Sequence, residues 1–220
     1  MFYSTVNHAL KEVSLSVNEK YGFVTVNADK LFSLPPVVGK RVLLSLLHIG
    51  GARSYICYKS FTMLYNRLLK NRTQAQQIQR CILYSPTWCQ DLLVVGRSLP
   101  ERNEQSLLTP ISVGETVHWD GRWRIAIKPI KDQFVVKEEL YIRHMREMDW
   151  GVARRGIRKI RSTRLPDPHV RGGLPVVTNK DGDIVLAPHF KVIDRSYGVD
   201  CDVEFKPLLP LIHHSESLAC

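Results

Sequence analysis

Apolar residues change their spacing near Arg80, from helical periods to short β-prone pieces. Before that point, Tyr21 to Val26 reads as a short strand, because Phe23, Val24 and Val26 form a β-prone run. Asp29 is placed to cap a helical turn that ends before Pro35-Pro36. From Val37 onward apolar residues cover most of a helix, while Lys40, Arg41, Ser45 and His48 fall within one arc of about 140° at 100° per residue. That pattern predicts a mostly buried helix with one basic stripe outward, stopped by Gly50-Gly51. Ser60 is then expected to cap a second helix, in which Phe61, Leu64, Tyr65, Leu68 and Leu69 repeat at helical spacing, and the two helices are expected to pack as a hairpin. Arg67, Lys70 and Arg72 lie near the end of this helix, where cations suit the helix dipole at least as well as they suit RNA.

After Arg80 the expected strands are Cys81 to Tyr84, Leu92 to Val95 and Trp123 to Ile130, with a Pro-rich polar loop between Pro100 and Pro110. A domain change is expected between Ser98 and Gly114, giving domains 1–98 and 99–220. The charged segment from Lys137 to Arg164 is read as helical at its start. Leu174 to Thr178 and Ile184 to Ala187 flank Asn179-Lys180-Asp181-Gly182, a hairpin signal because Asp-Gly accepts the positive φ of a tight turn. The tail after Pro210 is read as frayed. The expected class is α+β: a small helical domain, then a mixed α/β C-terminal domain with short strands.

Composition narrows the function. The chain has 220 residues, 44% of them hydrophobic, enough to bury a core. No run approaches the roughly 20 apolar residues of a membrane-spanning helix, so no membrane partner is expected. The N-terminus lacks the basic, apolar and small-residue regions of a secretory signal, which predicts a cytoplasmic location, or a mitochondrial matrix one in a eukaryote. Five cysteines without a CxxC pair support neither a disulfide framework nor a zinc ribbon. A net charge of +10 favours a polyanionic partner, nucleic acid first.

The densest cationic stretch is RRGIRKIRSTR, where Arg154, Arg155, Arg158, Lys159, Arg161 and Arg164 have no acidic residue among them. On a helix Arg154, Arg158 and Arg161 share a face suited to a phosphate backbone, and a basic loop would serve equally well. Lys40 and Arg41 are further candidates. Trp119 and Arg122, in Trp119-Asp120-Gly121-Arg122-Trp123, are candidates for stacking on a base and for a backbone contact, set against a packing tryptophan and a local Asp120–Arg122 ion pair. Catalysis has little support. The histidines lack metal-site spacing, and neither a Walker loop nor GxGxxG occurs. Gly50-Gly51-Ala52-Arg53-Ser54 faintly echoes the SGGxDS loop of PP-loop enzymes, but Ile49 and Arg53 replace its Ser and Asp, and it follows a helix rather than a strand.

Taken in order, several segments resemble the C-terminal region of tRNA(Ile)-lysidine synthases of the proteobacterial and organellar type. They are Gly22-Phe23; Leu34-Pro35 and Arg41-Val42-Leu43-Leu44 leading to Gly50-Gly51 and Tyr55; the helix after Ser60; Arg80-Cys81-Ile82 with Leu92-Leu93-Val94-Val95; Trp119 to Trp123; and Leu174-Pro175 with Asp181-Gly182 and Ala187-Pro188. The chain departs from the family at Ile56-Cys57-Tyr58-Lys59 and at Arg97-Ser98, and it carries no PP-loop domain. The resemblance implies a tRNA-binding portion that is not catalytic by itself and holds no cofactor. ATP and lysine would be used by a PP-loop catalytic domain or subunit to convert the wobble cytidine of an isoleucine tRNA to lysidine. The alternative is a generic basic domain that meets an acidic partner or a separate PP-loop subunit.

Overall fold

A computed structural model describes residues 2–52, 56–98, 108–131, 138–157 and 166–207. Among these the chain is α+β, with helices and three antiparallel sheets, and it divides into two compact units, Met1–Ser98 with Pro207–Cys220, and Leu99–Lys206.

The first unit begins with helix α1 (Phe2–Glu12), strands β1 (Ser16–Asn18) and β2 (Phe23–Asn27), and the short helix α2 (Ala28–Ser33). Asn27, two residues before Asp29, is the cap: its Oδ1 accepts from the Lys30 amide at 2.8 Å. Helix α3 (Pro36–Gly50) opens on a proline, whose missing N–H costs nothing there, and ends at Gly51 in the left-handed region (φ 113°). Helix α4 (Tyr58–Lys70) starts two residues before Ser60, with Cys57 at the cap position. Strands β3 (Gln76–Ile78), β4 (Cys81–Tyr84) and β5 (Leu92–Arg97) complete a sheet of order β1-β2-β5-β4-β3.

Helix α3 lies on β2 and β5, which buries Val42, Leu43, Leu46 and Leu47 against Val24, Val26, Leu93 and Val95. Its dominant partners are therefore the sheet and the helices before it rather than α4 in a simple hairpin. Helices α3 and α4 approach closely at Gly39, where an added Cβ would stand 2.8 Å from Tyr65 Oη and 3.1 Å from the Leu31 carbonyl. Gly50 allows a second close approach, with Val95 Cγ1 at 3.1 Å from such a Cβ. The carbonyls at the end of α3 are satisfied by the chain itself. The Arg97 guanidinium donates to Gly51 O at 3.0 Å, and the Cys81 thiol donates to Leu47 O at 3.3 Å.

The second unit holds two sheets. One has the order β12-β11-β10-β9-β6 and contains β6 (Thr109–Ile111), β9 (Leu140–His144), β10 (Pro175–Thr178), β11 (Ile184–Ala187) and β12 (Val192–Ile193). The other has the order β13-β8-β7 and contains β7 (Thr116–Trp119), β8 (Trp123–Pro129) and β13 (Val199–Phe205). Helices α5 (Trp150–Ile157) and α6 (Pro168–Arg171) are short. The helix expected at the start of the charged segment is instead β9, in which Leu140 and Ile142 turn inward and the buried Arg143 is neutralised by Asp149 (Nη2 to Oδ1 3.0 Å). Hairpin β10–β11 closes where Asp-Gly predicts it, with Gly182 at φ 88° and Asn179 Oδ1 accepting from the amides of Asp181 and Asp183. No described helix is long and apolar enough to cross a membrane.

Candidate nucleic-acid interface

Positive charge is distributed unevenly along the sequence. Residues 1–98 carry twelve lysines and arginines against four carboxylates, whereas residues 99–220 carry nineteen against seventeen. Two of the four carboxylates already have cationic or ionisable partners: Asp29 pairs with Arg72 at 2.7 Å, and Glu12 lies 3.2 Å from His8. Such an excess sets up a positive potential over the first unit.

Helix α4 concentrates that potential. Phe61, Leu64, Tyr65 and Leu68 are buried on one side. On the opposite side Lys59, Met63, Asn66, Arg67 and Lys70 are all exposed and share an arc of about 100°. The stripe runs into a depression of about 290 Å³ lined by Arg67, Lys70, Asn71, Gln74 and Gln76, five polar or cationic side chains and no carboxylate. The following loop is rigidified by Asn71, whose Oδ1 accepts from the Thr73 hydroxyl (2.8 Å) and from the amides of Thr73 and Gln74. The guanidinium of Arg67 and the ammonium of Lys70 can only donate and so suit an anionic backbone, while the carboxamides beside them can donate or accept. The dipole of α4 also favours Arg67 and Lys70 at its C-terminal end, but it gives no reason for Lys59 at the opposite end.

The residues singled out from the sequence fall in several places. Arg41 is exposed on α3. Lys40 is half-buried, with its ammonium 5.6 Å from the Tyr58 ring centroid and 5.8 Å from that of Tyr65. Arg154 is exposed on α5 and Arg155 follows it on the same helix, in the other unit. Arg158, Lys159, Arg161 and Arg164 lie outside the described residues.

Arg122 and Trp119 leave the candidate surface. The Arg122 side chain is 2% exposed and is spent internally: Nε and Nη2 donate to Asp120 Oδ2 at 3.2 and 3.0 Å, and Nη2 donates to Gly173 O at 2.9 Å. Trp119 is buried against the His144 ring, with centroids 4.4 Å apart, so an RNA base has no free face to stack on. Gly50 and Gly51 end a helix, with Gly50 packed on β5, which leaves the segment at the negative end of the helix dipole, the opposite of a phosphate loop.

Two thiols sit in opposite surroundings. Cys57 is exposed, and the amides of Ser60 and Lys59 hold its thiol below the usual range. Burial, with Asp200 and Asp202 beside it, pushes Cys201 up to about 12. No group of histidine, cysteine and carboxylate side chains among the described residues is arranged to hold a metal ion. Compared with known families and with characterised proteins, the chain matches no family and no curated protein.

Proposed function

We propose that the chain is an RNA-binding module that grips tRNA through the cationic face of its first unit, as the tRNA-handling portion of a tRNA(Ile)-lysidine synthase. The observation that carries RNA binding is the α4 stripe, in which Lys59, Arg67 and Lys70 run into a polar depression that contains no carboxylate. The choice of an isoleucine tRNA rests on the sequence resemblance alone. In this reading the wobble cytidine is activated with ATP on a PP-loop domain or subunit, and the present chain positions the tRNA without contributing nucleotide chemistry.

A titration of isoleucine tRNA with the full chain over a range of salt concentrations tests the reading. Each neutralised phosphate contributes about 0.7 to 0.9 to the slope of log K against log salt, so three contacts give a slope near −2 to −3. Binding that ignores salt, or no binding, refutes it. A second reading is favoured by the exposed Met63 and Leu69 (48% and 50%) on α4, which suit an apolar contact with a partner protein. Capture of a chain bearing SGGxDS, together with indifference to RNA, would select that reading.

A further inference from the structure

We propose that Tyr58 is a stacking platform for an unpaired base, so that the α4 face takes single-stranded RNA in preference to duplex. This inference rests on the RNA-binding reading and adds the class of RNA. Tyr58 and Tyr65 stand seven residues apart on one side of α4, yet their environments are opposite: Tyr65 is 3% exposed and packs edge-on against Phe32, whereas Tyr58 is 69% exposed. The core is completed by Tyr65. Tyr58 continues the same row into solvent, where a large aromatic ring gains little from burial.

The exposed ring is nevertheless held. Lys40 is half-buried between the two tyrosines, and its ammonium attracts both rings, which limits the freedom of Tyr58 before any ligand arrives. The surroundings suit a nucleotide. Lys59 is the next residue and is exposed, Arg41 is exposed beside Lys40 in sequence, and the first-turn amides hold the Cys57 thiol low, as a positive helix end should. From Lys59 the cationic stripe rises about 16 Å to Lys70, room for a few successive phosphates. Tyr58 stands about 100° around the helix from Lys59, so a strand whose base stacks on Tyr58 reaches the cationic stripe at its first residue, the combination of ring and charge by which proteins bind single strands without reading their sequence. In a duplex every base face is covered by its neighbours, so Tyr58 has nothing to stack on and only the phosphate contacts remain.

The test compares the full native chain with Tyr58→Ala and Tyr58→Phe, using an unstructured adenosine oligonucleotide and a blunt RNA duplex of the same length. Tyr58→Ala should weaken single-strand binding by about 10-fold or more and leave duplex binding within about 2-fold, while Tyr58→Phe keeps both. Equal losses on the two RNAs, or unchanged single-strand affinity in Tyr58→Ala, would overturn the stacking role and leave RNA binding standing. If the native chain binds neither RNA in a salt-dependent way, RNA binding itself fails and the stacking role fails with it.

Discussion

Replacing Asp120 by Asn is expected to destabilise the second unit by about 3 kcal/mol, because it removes a carboxylate that neutralises a buried guanidinium. Both side chains of the Asp120–Arg122 pair are 2% exposed, so water cannot take over the lost interaction. The carboxylate receives two charge-assisted hydrogen bonds from Arg122, at 3.2 and 3.0 Å. After the change the cation still has Gly173 O among its acceptors, one that it shares with Trp123 Nε1 at 3.2 Å, and the weaker interaction that an amide oxygen offers. Breaking a buried pair by removing one partner costs about 3–5 kcal/mol, and the amide recovers part of that. Asparagine is the informative substitute because Asp120 sits at φ 52°, a left-handed conformation that Asn tolerates and Ala does not. Backbone strain is thereby held constant. Urea unfolding followed by tryptophan fluorescence reads this unit, since Trp119 and Trp123 flank the pair. Adding Arg122→Met should restore at least half of the lost stability, since the uncompensated charge is then gone. A single variant within about 0.5 kcal/mol of the native chain, or a double variant worse than the single, would refute the argument.

Further outcomes follow from the same geometry. Gly39→Ala should lower the stability of the first unit by about 1–2 kcal/mol in chemical denaturation, because the Leu31 carbonyl at 3.1 Å belongs to backbone and cannot swing aside, which outweighs the gain of about 1 kcal/mol from alanine's helix propensity. Iodoacetamide near neutral pH should modify Cys57 well before Cys201, as mapped by mass spectrometry, because only Cys57 is both exposed and held low. Cys201 also sets a pH dependence. Its thiol ionises near 9.0 when unfolded and about 12 when folded, so between those values the unfolded state binds fewer protons and stability falls as pH rises. The slope from this one group is at most about 1.4 kcal/mol per pH unit, and Cys201→Ala should flatten the curve there.

The α+β class and many elements were legible because local chemistry determines them. The proline before α3, Gly51 after it, the apolar period of α4 and the Asp-Gly turn of β10–β11 each act within a few residues. Strand β9 was hidden because Arg143 makes its sequence look surface-bound. Its burial depends on Asp149, six residues away, and on Gly182 O at 3.2 Å, which only the folded unit brings near. Arg122 and Arg97 illustrate the same limit, since their carbonyl partners, Gly173 and Gly51, lie 51 and 46 residues away. The cations of α4 were visible, yet their spacing alone fits dipole compensation. The concentration of charge in residues 1–98 can be counted in the sequence, but the carboxylate-free depression at Arg67 and Lys70, which separates the two roles, requires the fold to define which residues share a surface.

The most direct check is the salt dependence of tRNA affinity in the triple variant Lys59→Gln, Arg67→Gln, Lys70→Gln, with circular dichroism confirming that it is folded. These exposed side chains carry no core packing, so stability should stay within about 0.5 kcal/mol. If α4 tracks an RNA backbone, the slope of log K against log salt should shrink by about 2 to 3 relative to the native chain. A folded variant that keeps the native slope and affinity would contradict the assignment of α4 as the RNA-binding face.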